Sequence, residues 1–174
     1  FPTRRSSDLL LTECFKPFES SARDKSVEVI WPNSGDEHES GNAVMSNAVM
    51  GNTVIWTDRD KLREVFVNLL DNAVSYVDSG GRISISLDTL PDVVRVIIAN
   101  TASKVCPDDT HKVFDRFWRG DAARGQTGTH CGLGLSLARE CVERLGGSIQ
   151  AESEPAGVFK VTVALKRAAS HHRS

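Results

Sequence analysis

Between Asp60 and Val77 the apolar residues Leu62, Val65, Phe66, Leu69, Ala73 and Val77 recur at three- and four-residue steps. That spacing places them on one face of a helix, and the face must be buried. Asn68, Asn72 and Ser75 fall together on an adjacent face, with Tyr76 on the border between the two. A helix that packs one side and lines a polar pocket with the other produces this pattern; so does a helix whose asparagines are simply solvated. Thr57 and Asp60 have capping-box spacing and Asp58 serves equally as an N-cap, so the helix starts there. The turn Asp78-Ser79-Gly80-Gly81 ends it.

The remaining elements follow from the same patterning. Asp8 to about Lys25 is amphipathic through Leu10, Leu11, Cys14, Phe15 and Phe18, with Pro17 weakening or kinking the helix midway. Ser26–Trp31 alternates and is β-branched, which predicts a strand, and Thr53–Trp56 predicts a second short one. Pro32–Gly51 is polar and carries NAVM twice, too few copies for a repeat architecture, and is expected to be a loop or short hairpin. Arg82–Asp88 and Val93–Ala99 are strands joined at Leu90-Pro91-Asp92, the second more apolar and therefore more central. Pro107–Trp118 predicts a short helix ending in FDRFWR. Arg119–Cys131 is rich in glycine and small polar residues without periodicity and is expected to be mobile. A helix with the buried line Leu135, Ala138, Val142 and Leu145 follows, closed by Gly146-Gly147. SIQAES and GVFKVTVAL form a last pair of strands.

Composition narrows the class. A chain of 174 residues, 40% hydrophobic and 25% charged, suits one globular domain with its own core. A formal charge of −2 gives no electrostatic argument for nucleic acid or an anionic membrane. Cys14, Cys106, Cys131 and Cys141 show no CxxC or His/Cys ligand spacing, so free thiols in a reducing compartment are expected. No apolar run approaches the roughly 18 residues that span a bilayer. The opening FPTRRSSDL resembles the translated read-through of a common sequencing adapter. The expected organisation is therefore a non-native scar over residues 1–9, with upstream sequence missing, a domain over 10–166 and a disordered tail over 167–174.

Four motifs in order carry a family resemblance. REVFVNLLDNAVSY resembles the N box, IANTASKV stands where the first glycine box belongs, FDRFWR is similar to the F box, and HCGLGLSL resembles the second glycine box. Together they make residues from about Asp8 to Leu165 resemble the catalytic, ATP-binding domain of two-component sensor histidine kinases. The resemblance implies a Bergerat-type α/β (α+β) two-layer sandwich, a mixed sheet covered on one face by helices. It also implies ATP and Mg²⁺ as ligands, held between the helices and a flexible lid. The partners implied are the protein's own dimerisation and phosphoacceptor domain, a response regulator receiver domain and a second copy in a homodimer, with no nucleic acid. The domain would be cytoplasmic, in a parent anchored in the inner membrane.

The site residues implied are Asn68, Asn72, Ser75 and Tyr76 in the N box; Asn100, Ala102, Lys104 and Val105 at the first glycine box; Arg119; and Gly132, Leu133, Gly134 and Leu135 at the second. Asn72 matches the asparagine that holds Mg²⁺, and an amide carbonyl is a suitable hard oxygen ligand. Gly132 and Gly134 match positions where bare backbone lets phosphate approach a helix N-terminus; a plain tight turn is the competing account. Phe114, Phe117 and Trp118 are expected as core or lid anchors. Arg116 and Arg119 are open to phosphate contact and to surface pairing.

The chain departs from the family's pattern at the first glycine box, where Asp-x-Gly-x-Gly becomes Asn100-Thr101-Ala102-Ser103-Lys104. Asn100 can accept from an adenine amino group without charge assistance, whereas Ala102 and Lys104 replace glycines. Ser75 stands where many members carry a phosphate-binding lysine, and Lys104 is a candidate to compensate. Related gyrase, chaperone and mismatch-repair ATPases place a catalytic glutamate at the position of Asn68, which cannot act as a general base. The resemblance implies transfer of the γ-phosphoryl to a histidine on a separate dimerisation helix, and none of His38, His111, His130, His171 and His172 has the context of a phosphoacceptor helix. The alternatives are a nucleotide-binding regulatory module that has lost catalysis and a free-standing ATPase.

Overall fold

The structure is a computed structural model that describes residues 5–31, 54–55, 57–101, 105–118, 132–154 and 156–167. The Pro32–Gly51 insertion, the stretch Arg119–Cys131 and the tail beyond Arg167 lie outside the described residues.

Chain order begins with β1 (Arg5–Ser6), antiparallel to β3 (Val54–Ile55), and α1 (Ser7–Phe15), which starts inside the adapter-like stretch. Pro17 interrupts the first helical pattern as expected: a 3-10 turn over Lys16–Phe18 separates α1 from α2 (Glu19–Asp24). Then come β2 (Glu28–Ile30), α3 (Arg59–Tyr76), β4 (Arg82–Thr89), β5 (Val93–Asn100), α4 (Gly134–Arg144), β6 (Ser148–Glu154) and β7 (Val158–Lys166). Pro107–Phe114 forms a 3-10 helix rather than an α-helix.

Among the described residues, five strands make one sheet in the order β2-β4-β5-β7-β6; β2 runs parallel to β4 and every other neighbour is antiparallel. One face supplies Ile83, Ile85, Val94, Val96, Ile98, Val161, Val163 and Leu165, all buried, while Ser86, Arg95 and Gln150 on the other are exposed. That period-2 alternation is what a sheet covered on one side requires. The helices meet the buried face through Val65, Phe66, Leu69, Leu70 and Val74 of α3 and Ala138 and Val142 of α4. The expected mixed-sheet, two-layer architecture is the one observed, with β5 central.

Two helices end in the same way. Past α4, Gly146 donates to Glu143 O and Gly147 to Val142 O, with Gly146 at φ 72°. Past α2, Ser26 donates to Arg23 O and Val27 to Ala22 O, with Ser26 at φ 52°. Both are Schellman ends, but α2 places a serine where the left-handed backbone favours glycine. Ser26→Gly is therefore expected to raise stability by about 1 kcal/mol, read as a higher urea midpoint at unchanged slope.

Cys14 is 1% exposed, and burial pushes its thiol from the ordinary 9.0 up to about 11, while Arg63 opposes the rise and Glu13 adds to it. Folding thus disfavours the thiolate. Its contribution to stability is fully present below pH 9.0 and is lost as pH rises through about 11. The denaturation midpoint should fall across that alkaline range less steeply in Cys14→Ala than in the parent. Iodoacetamide should label exposed Cys106 well before Cys14.

Candidate functional site

α3 is capped at its start. The Asp58 carboxylate accepts from the amides of Asp60 and Lys61 at 3.1 and 3.2 Å and also pairs with the Lys61 ammonium. From that cap the helix turns Leu62, Val65, Phe66, Leu69, Ala73 and Val77 inward, as their spacing predicts. Asn68, Asn72 and Ser75 are half-buried on the flank, and Tyr76 is 40% exposed at the end.

Two approaches frame this polar flank. At one end α4 begins beside Asn68: a Cβ built on Gly134 would lie 3.3 Å from Asn68 Oδ1. The Asn68 amide is oriented by its Nδ2, which donates to Glu64 O at 2.9 Å. At the other end, a Cβ on Gly81 would meet Val77 Cγ2 at 2.7 Å and Thr101 Oγ1 at 2.8 Å. Thr101 is itself fixed, donating its amide to Arg82 O at 3.0 Å and accepting from Arg82 N through Oγ1 at 2.8 Å. The N-box and second-glycine-box residues are thus neighbours, and the end of β5 converges on the end of α3.

Gly132 joins a third motif to these. Its φ is 73°, and a Cβ there would meet Trp118 O at 2.7 Å and Phe117 C at 3.0 Å. The Phe117 amide donates to Gly132 O at 2.9 Å, so the F box is tied to the strand of backbone entering α4. Leu133 caps α4 without a side-chain hydrogen bond, and the first turn holds no acidic residue. Those amides and the helix dipole favour an anion. Leu133 and Gly134 are half-buried there and Leu135 is buried in the core.

Asn100 ends β5, is 3% exposed, and donates through Nδ2 to Thr101 O at 3.2 Å. Val105 is half-buried, and its carbonyl accepts from Ser153 Oγ of β6 at 2.7 Å. Ala102, Lys104 and Arg119 lie outside the described residues, as do His130 and Cys131. Arg116, left open between two roles, makes a surface pair with Glu140 at 3.3 Å. Phe114 is a core anchor as expected, with the Arg139 guanidinium 5.8 Å from its ring centroid. Phe117, expected as a core or lid anchor, is not in the core: it has φ 66° and is 70% exposed. Trp118 is half-buried against the core. Lys25 and Ser153 went unnoticed in the sequence because their side-chain hydrogen bonds reach carbonyls 48 to 52 positions away.

The family model described as "Histidine kinase-, DNA gyrase B-, and HSP90-like ATPase" matches residues 57–169, the stretch that contains every one of these contacts except those of Lys25. The chain belongs to that family. This ATPase-family domain is 38% identical over 111 residues to the signal transduction histidine-protein kinase BaeS of Escherichia coli K12, covering 64% of this chain and 24% of BaeS. It is 40% identical over 114 residues to the probable sensor protein PcoS of Escherichia coli, covering 65% and 24%. The domain therefore spans about a quarter of the length of the curated relatives it matches. In fold it is similar to the catalytic domain of histidine kinase ThkA, with a TM-score of 0.75 at 21% identity over 96% of each chain. The mycobacterial sensor histidine kinase MprB gives 0.71 at 22%, over 96% of this chain and 98% of that one.

Proposed function

We propose that this domain binds Mg-ATP and transfers its γ-phosphoryl to a histidine on a dimerisation helix supplied by the rest of a sensor kinase. The observation that carries the reading is the approach of Gly134 to Asn68, which sets the uncapped start of α4 beside the polar flank of α3. An anion seated on those amides lies next to a row of neutral amide side chains, an arrangement suited to a polyphosphate with its cation. Asn72 would hold Mg²⁺ through its amide oxygen, and the ion would supply neutralisation of phosphate charge. Ser75 and Tyr76 would flank the nucleotide, and Asn100 would face its base.

Transfer rather than free hydrolysis is favoured by Asn68. Its amide is neutral and already donates to Glu64 O, so it has no proton-accepting role toward water. The acceptor imidazole nitrogen would form the new P–N bond as the bond from the γ-phosphorus to the bridging oxygen breaks, leaving ADP. ThkA has been solved with the response regulator TrrA; by analogy a receiver domain would take the phosphoryl group from the histidine. We extend the reading to a homodimeric parent anchored in the inner membrane, with this domain on the cytoplasmic side. Among the described residues no helix is long and apolar enough to cross a membrane.

A calorimetric titration with a non-hydrolysable ATP analogue tests the reading. Binding should depend on Mg²⁺, and Asn72→Ala should weaken it by about tenfold or more, a loss of about 1.4 kcal/mol. A folded parent that gives no heat up to millimolar nucleotide sinks it. Binding without phosphoryl transfer to an added dimerisation domain would instead mark a regulatory module.

A further inference from the structure

The last turn of α3 carries Ser75 and Tyr76, and its end is held by a residue from another part of the fold. The Lys25 ammonium donates to Val74 O at 2.8 Å, Ser75 O at 3.1 Å and Val77 O at 3.2 Å. α3 has no basic residue in its own last turn, so Lys25 supplies both the hydrogen bonds and the positive charge that a helix C-terminus lacks. The same residue binds the following turn, accepting from Gly80 N through its carbonyl at 2.8 Å. Its backbone is fixed in turn by the Schellman end of α2, where Val27 donates to Ala22 O at 2.9 Å.

We propose that Lys25 is a positioning residue for the nucleotide site, locking the C-terminal turn of α3 so that Tyr76 and Asn72 keep their places. The link to Asn72 is the helix itself: the amide of Tyr76 bonds back to the carbonyl four residues earlier, so fraying at Tyr76 releases the backbone of Asn72. A core contact would stabilise the helix as a whole. Lys25 acts on one end of it, the end that borders Thr101 and Gly81. The inference rests on the reading of α3 as a nucleotide-binding helix.

Tyr76 is the single tyrosine of the chain, so 3-fluorotyrosine gives one ¹⁹F resonance at the turn in question. Lys25→Met should move that resonance toward its unfolded position and weaken the ATP analogue by about five- to tenfold, the effect of losing a charge-assisted cap. Lys25→Arg should restore both, and Lys25→Gln, which keeps one donor, should fall between if the methionine variant folds poorly. Asp58→Ala removes the cap at the opposite end of the same helix and controls for stability; it should lower Tm while leaving resonance and affinity near the parent's. An unmoved resonance with unchanged affinity in Lys25→Met overturns the proposal, as does the same shift in Asp58→Ala. If the parent binds no nucleotide, the functional reading fails, while the ¹⁹F comparison without nucleotide still decides whether Lys25 holds the turn.

Discussion

Phe66→Ala is expected to lower the free energy of unfolding by about 3–5 kcal/mol, close to the whole stability of a marginal domain. Phe66 is 0% exposed and, among the described residues, is the largest of the fully buried side chains. It sits on α3 among Val65, Leu69 and Leu70, all within 2% of full burial, where close-packed neighbours on a strand-backed helix cannot collapse into the space left behind. The urea midpoint should fall with the slope preserved. Because Asn68 and Asn72 lie on a different face of the helix, the folded fraction of the variant should keep its nucleotide affinity to within about threefold. A loss below about 1.5 kcal/mol would show that the core relaxes around α3. A selective loss of affinity would show that the two faces are coupled.

The two faces of α3 were legible because a single helix carries its own period. The line Leu62, Val65, Phe66, Leu69, Ala73 and Val77 reads as buried from spacing alone, and an aspartate just before the run announces the cap. The sheet was legible for the same reason, since Ile83/Ile85 and Val94/Val96/Ile98 alternate with polar residues. What spacing does not show is anything that depends on where two distant segments meet. Lys25 looks like one more surface cation at the end of a short helix; only the fold, which brings this residue to the end of α3, reveals three carbonyls within reach of it. Phe117 looks like a core or lid anchor by its spacing, and is an exposed ring at φ 66° whose amide donates to Gly132 O. Pro107–Phe114 has an apolar end and a proline start that suit either helix type. The structure gives it the tighter 3-10 form, with Val113 and Phe114 buried at its end. In the site itself the sequence supplied the residue types, and the structure supplied the neighbours: Gly134 beside Asn68, Gly81 beside Thr101.

Gly132→Ala is expected to cost about 2–4 kcal/mol and to weaken the ATP analogue by about tenfold or more, combining backbone strain with a steric clash. The strain comes from φ 73°, a left-handed conformation. The clash comes from a Cβ placed 2.7 Å from Trp118 O, with Phe117 C at 3.0 Å and Phe117 Cα at 3.1 Å. These are backbone atoms, so no side chain can swing aside to make room. Relief requires the chain at Phe117–Trp118 and the chain entering α4 to separate, which lengthens the hydrogen bond from Phe117 N to Gly132 O and shifts Gly134 away from Asn68. Gly146→Ala isolates the first contribution, since Gly146 has nearly the same φ, 72°, and no neighbour within 4 Å of its Cβ position. It should cost only about 1–2 kcal/mol and leave nucleotide affinity alone. Equal losses in the two variants would mean that the contact with Trp118 yields freely and that Gly132 is required for its backbone conformation alone. A larger loss at Gly132, with affinity falling alongside it, would place the function of this glycine in the close approach of the F box to the start of α4.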